Sequence, residues 1–213
     1  MTSRNNRFTP AERKALHNKD FFYIKASATK KIDILLAGVR DEIKSEIKKK
    51  KLLFPEEADA SAGKIFKGEN YAGLPYMVLD FPKYFTKESV FSFRTMCWWG
   101  NFFSFTLHLQ GKALEEYRAG LTPSVPARAG KGEGGIHFLK KRNINICVNN
   151  NPWQYHFEKD NYIPVDKLSD RELEKILLEK EFIKISRKIP LKDYKTIVNF
   201  ATKTFQYLYP ERG

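Results

Sequence analysis

Two tryptophans, a Gly-Asn pair and two phenylalanines run together at Trp98-Trp99-Gly100-Asn101-Phe102-Phe103, and the chain then alternates through Ser104-Phe105-Thr106-Leu107-His108-Leu109-Gln110. Period-two alternation is the mark of a strand with one apolar and one polar face. Phe105, Leu107 and Leu109 therefore point into a core, and Ser104, Thr106, His108 and Gln110 line the opposite face. No lysine or arginine lies between Trp98 and Phe105. A stacking platform for nucleic-acid bases sets cations among its rings, so this aromatic density marks packing.

The rest of the chain supplies partners for that strand. Thr9-Pro10-Ala11-Glu12 has the layout of a helix start. Ile32, Leu35, Leu36, Val39, Ile43 and Ile47 recur at spacings of three and four, which predicts an amphipathic helix with its apolar stripe on the aromatic centre. Residues 52–67 read as a connection, and 74–81 as a strand. Residues 87–98 admit two readings. Thr86 can cap a helix that carries Val90, Phe93, Met96 and Cys97 on one face, or 90–99 is a strand with Gly100-Asn101 as a tight turn. The helix is preferred, because neither strand face alternates cleanly.

Glycine and proline gather in 118–135, which predicts a flexible loop. A phosphate cradle would need a helix after the glycines, whereas 136–140 reads as a strand. Residues 143–148 and 153–158 are predicted to form a hairpin through Asn149-Asn150-Asn151-Pro152, with Ile146 opposite Tyr155. Ser169-Asp170-Arg171-Glu172 is a second helix start, 182–189 alternates as a strand, and 191–207 is an amphipathic helix. The expected fold is α+β: one domain spanning 1–213, with a mobile N-terminus (1–8) and an antiparallel sheet packed on one face by N-terminal and C-terminal helices.

A formal net charge of +13 points to an anionic partner, either nucleic acid or an acidic protein. Lys48, Lys49, Lys50 and Lys51 are the nucleic-acid candidates, although cations at a helix C-terminus also complement its dipole. The two cysteines are too few for a disulfide framework, and neither a signal peptide nor a transmembrane run is visible, so a cytoplasmic protein is expected.

Candidate chemistry concentrates on polar strand faces. Asn143, Asn145, Cys147, His156 and Glu158 share one face of the predicted hairpin, and Cys147 with His108 or His156 supplies the residue types of a thiol nucleophile and its base. Cys147 sits inside a regular strand, however, where a depressed thiol pKa is not expected. Ser104, Thr106, His108, Gln110, Asn145, His156 and Glu158 are the candidate ligand-binding residues. The histidine spacing matches no metal motif, so neither a metal nor a cofactor is expected. The function these residues favour is a non-catalytic intracellular binding or interaction protein. An enzyme with a small-molecule pocket around His108, His156 and Cys147 is the alternative, and nucleic-acid binding through the basic N-terminal helices is the third reading.

Phe21-Phe22, the helix through Ile32 and Ile47, the strand beginning Leu74-Pro75-Tyr76 and the strand 102–110 together resemble the small bacterial proteins of the YktB type over the first half of the chain. The resemblance implies an antiparallel sheet packed with helices and brings no established activity with it. Residues 84–100 depart from that pattern.

Overall fold

Thr9 opens the first helix as its spacing predicts. Its hydroxyl accepts from the Glu12 N–H at 3.2 Å, and the Glu12 carboxylate accepts from the Thr9 N–H at 2.6 Å. This reciprocal cap starts α1 (Pro10–Leu16), which is followed by α2 (Lys19–Lys50). The computed structural model describes residues 7–50, 58–121, 137–140 and 143–208. The apolar stripe of α2 is used only in its second half, where Leu36, Val39 and Ile43 are wholly buried. Its first turns carry Phe21, Phe22, Tyr23 and Ile24 in exposed positions beyond the sheet.

Four strands follow as a meander: β1 (Ile65–Tyr71), β2 (Leu74–Phe85), β3 (Val90–Trp98) and β4 (Phe102–Gln110). The β1–β2 turn places Ala72 and Gly73 at φ of 50° and 81°, and Gly100 turns between β3 and β4 at φ of 73°. Then come α3 (Lys112–Leu121), α4 (His137–Lys140), β5 (Asn145–Cys147), β6 (Tyr162–Pro164), α5 (Asp170–Glu179), β7 (Phe182–Pro190) and α6 (Ile197–Leu208). The strands form one antiparallel sheet in the order β1-β2-β3-β4-β7-β5-β6. The fold is α+β, with α2 and α6 on one face of the sheet. Phe93, Phe105, Leu107 and Ile185 meet Leu36, Val39, Ala201 and Phe205 in the core between them. Burying each large side chain there contributes about 1.5–3 kcal/mol.

Several local expectations are corrected. Residues 90–98 are a strand, not a helix; Thr86 closes a turn instead, accepting from the Ser89 N–H at 2.9 Å. The alternation was hidden because both faces are covered. Phe91, Phe93 and Cys97 join the helix-side core, while Met96 and Trp98 join a second apolar cluster with Val78 and Tyr155 on the other side. The stretch read as a connection through 67 already enters β1, an edge strand that begins at Ile65. Residues 137–140 are a helical turn rather than a strand. Residues 118–121 are the last turn of α3, where the Arg118 guanidinium donates to the Leu177 and Lys180 carbonyls, and 122–135 lie outside the described residues. Residues 191–196 form 3₁₀ turns before α6 begins.

The predicted 143–158 hairpin does not form. β5 pairs with β6 and β7, and 153–158 is not a strand. The Tyr71 hydroxyl takes the N–H groups of both Tyr155 and His156, at 2.6 and 3.0 Å, which removes donors that a ladder would need.

The capping box at α5 is as predicted, with the Glu172 N–H donating to Ser169 Oγ at 3.3 Å. Ser169→Ala is expected to lower stability by about 1 kcal/mol, within the 0.5–2 kcal/mol range for lost caps. A urea titration reads this as a lower midpoint at unchanged slope; an unmoved midpoint would show that the cap is redundant.

Candidate functional site: a buried polar tract on the sheet

The antiparallel register aligns polar side chains across the face turned away from α2 and α6. Asp80 opposes Arg94, Arg94 opposes Thr106, Thr106 opposes Ser186, and Ser186 opposes Asn145. In the neighbouring row Ser92 opposes His108, and His108 opposes Lys184. The expectation that Ser104, Thr106 and His108 share a face therefore holds in register. The face is not solvated. His108 is 1% exposed and Lys184 0%, and Ser104, Thr106 and Ser186 are equally buried.

The cover is the 148–161 segment rather than a helical layer. It is pinned at one end by the Lys180 ammonium, which donates to the Val148 and Asn149 carbonyls at 2.6 and 3.2 Å and to Asn150 Oδ1 at 2.7 Å. At the other end the Tyr71 hydroxyl holds the backbone at 155 and 156. Asn161, wholly buried, donates from Nδ2 to the Gln154 carbonyl at 3.1 Å and to that of His156, while its Oδ1 accepts from the Cys147 thiol at 3.3 Å. Tyr155 is thereby set face-on to two cations, Arg94 at 4.5 Å and Lys184 at 4.6 Å from its ring. Tyr162 receives Lys184 at 5.4 Å.

The charges inside this tract are unevenly paired. Arg94 donates to Asp80 from Nε at 2.7 Å and Nη2 at 2.8 Å, a bidentate pair, and the Ser92 hydroxyl adds a third bond at 3.0 Å. Burial works most strongly against the Arg94 charge, but the Asp80 hydrogen bonds and the charge interactions with Tyr155, Asp80 and Tyr162 together more than offset it, so its pKa is raised. Lys184 has no carboxylate in ion-pair contact among the described residues. Its ammonium donates to the Gln154 carbonyl and lies beside Cys147. Three buried polar atoms on this face have no hydrogen-bond partner among the described residues: His108 Nε2, Ser104 Oγ and the Tyr162 hydroxyl. On its other side the His108 ring has Tyr155, whose hydroxyl is 3.5 Å from Nδ1, and it packs edge-on to Trp153 and Phe182.

These surroundings decide the protonation states. Burial, with Lys184 and Arg94 adding like charge, pulls His108 down to about 3, so its imidazole is neutral. Burial raises the Cys147 thiol, with the Lys184 charge and a backbone hydrogen bond at Asn149 acting in the opposite direction. Burial also pulls Lys184 down to about 8. The tract thus holds a neutral imidazole and a protonated thiol, not the imidazolium–thiolate pair of a thiol nucleophile. Its chemistry is that of a cationic, hydrogen-bonding cage.

Of the other sequence candidates, Asn145 is in the tract by register with Ser186. Gln110 is half-buried at the end of β4, where its carbonyl accepts from the Ser89 hydroxyl at 3.1 Å. His156 and Glu158 lie elsewhere: the Glu158 N–H donates to His156 Nδ1 at 3.4 Å, and Glu158 is exposed. They leave the tract because the hairpin that placed them there is absent. Lys48, Lys49 and Lys50 end α2 with Lys49 3.4 Å from Glu46, and Lys51 lies outside the described residues. No group of three or more metal-ligating side chains is placed to hold an ion among the described residues. Sequence reasoning missed Asp80, Arg94, Lys184, Tyr155 and Asn161. The available signal was a charge set among apolar neighbours in each of three strands: Asp80 in β2, Arg94 in β3 and Lys184 in β7.

No protein-family model, curated protein or solved structure matches this chain. No helix among the described residues is long and apolar enough to cross a membrane.

Proposed function

We propose that this chain is a non-catalytic cytoplasmic binding protein that holds a small anionic molecule between the polar face of its sheet and the 148–161 cover. The observation that carries this reading is Lys184, fully buried with no carboxylate partner among the described residues and two strands away from the Arg94 of an already satisfied Asp80–Arg94 pair. A buried ammonium costs several kcal/mol to desolvate, and a carbonyl oxygen compensates it only in part. An anion beside it would complete the charge balance, with His108 Nε2 and the Ser104 hydroxyl as ready hydrogen-bonding groups. Loosening of the 148–161 cover would supply the entry path.

The test is thermal unfolding of the wild type and Lys184→Met with inorganic phosphate, acetate, succinate, citrate and glycerol phosphate. Ligand at a hundred times its Kd adds about 2.7 kcal/mol to the folded state, a rise of several degrees in Tm. Lys184→Met is expected to be as stable as the wild type or more so, because apolar replacement of a buried ion is often neutral or favourable. It is expected to show no response to the anion. If no anion in the panel shifts the wild type, or if the variant responds equally, the reading is wrong.

A further inference from the structure

The sheet has a second feature that is independent of the buried tract. β1 is an outermost strand, and among the described residues nothing pairs with its outer edge. Beside that edge runs a groove of about 470 Å³, walled by Thr29, Lys30, Asp33 and Ile34 of α2 and by Ile65 and Lys67 of β1, with Met77 below. Ile34 is 70% exposed, an apolar side chain left without a partner on the groove wall. On the opposite face of the same strand Phe66 is also exposed, with the Lys64 and Lys83 ammonium groups 5.2 and 5.4 Å from its ring centroid.

We infer that this edge binds an extended acidic peptide as an added strand. The backbone groups along an open edge are a template for pairing, and natural proteins normally blunt such edges or use them for recognition. A strand laid along β1 alternates its side chains between the two faces. One set enters the groove against its apolar residues Ile34, Ile65 and Met77. The other set passes over Phe66, where Lys64 and Lys83 supply cations. Lys30 and Lys67 add positive charge, against Asp33 on the groove wall and Asp59 beside Lys83, while Glu69 is held by Lys25. The recognised pattern is therefore an apolar residue alternating with Asp or Glu. A second copy of this chain is the poorer occupant, because two chains of net charge +13 repel each other.

The experiment uses fluorescence anisotropy with labelled nine-residue peptides that carry Ile or Val at every second position and Glu, Ser or Lys at the others. The Glu peptide is expected to bind at least tenfold tighter than the Ser peptide, and the Lys peptide not at all. N-methylation of the Glu peptide is expected to weaken binding at least tenfold at alternate positions and to leave the intervening ones unchanged, because only every second N–H of an added strand faces β1. Ile34→Glu, at an exposed position, is expected to weaken binding to a similar extent without changing the unfolding midpoint. Failure of the Glu peptide to bind overturns the inference. So does equal binding of all three peptides, indifference to N-methylation or to Ile34→Glu, or displacement of the peptide by single-stranded RNA at equal concentration.

Discussion

Asp80→Asn is expected to destabilise the protein by about 3–5 kcal/mol, the cost of removing one member of a buried ion pair. Asparagine preserves the shape of the side chain and some of its hydrogen bonds, but it leaves the Arg94 guanidinium uncompensated, stacked on Tyr155 and sharing that ring with the Lys184 ammonium. The Ser92 hydroxyl also loses an anionic acceptor. Urea unfolding would show a large fall in midpoint with no change in slope. The double variant Asp80→Leu with Arg94→Met separates charge from packing. With both charges gone, it should recover most of the loss. A fall of under about 1 kcal/mol for Asp80→Asn would mean that water reaches Arg94 and that the pair is only as valuable as an exposed one.

Acidification to pH 4.5 is expected to cost the wild type about 3 kcal/mol more than it costs a His108→Asn variant, at roughly 1.4 kcal/mol per pH unit. The sign follows from the proton count. Below its ordinary 6.5 the unfolded chain protonates residue 108, whereas the folded chain keeps it neutral down to about 3. Stability from this residue is therefore complete above pH 6.5 and is lost progressively as pH falls toward 3. The groups facing the ring agree with this. Lys184 on β7 and Arg94 on β3 are cationic, and Tyr155, Trp153 and Phe182 offer no carboxylate. Asp59 and Glu46, whose pKa values are lowered by hydrogen bonds, lose their contributions as pH falls past the ordinary carboxylate values, equally in both proteins, so they cancel in the comparison. Unfolding free energies at pH 7 and 4.5 for both proteins decide the matter, and parallel losses would show that His108 accepts a proton in the folded state.

What the sequence made legible was local. Thr9 with Glu12 and Ser169 with Glu172 announce their helices through side chains that reach three residues, and the alternation of 104–110 fixes which β4 residues share a face. The helix-side core follows from the α2 spacing together with Phe105, Leu107 and Leu109. The errors arise where a distant group intervenes. Turn chemistry at Asn149–Pro152 is real, with the Trp153 N–H donating to Asn151 Oδ1 at 2.9 Å, yet the Tyr71 hydroxyl from β1 prevents the hairpin beyond it. β3 looked helical because a second apolar cluster under Tyr155 places Met96 and Trp98 on a face that would otherwise be polar. Lys184 was invisible for a similar reason. A lysine in an alternating strand reads as solvent-facing, and only the 148–161 cover turns that face inward.

The position of β7 has a consequence for biosynthesis. It follows the meander and the β5–β6 pair in the chain, yet it lies between β4 and β5, so those two parts cannot join until residue 190 has been translated. Until then β4 presents an open edge with Phe103, Phe105, Leu107 and Leu109 on its apolar face, and α6 does not yet exist to cover them. The nascent chain thus keeps its most association-prone surface until β7 and α6 emerge from the ribosome.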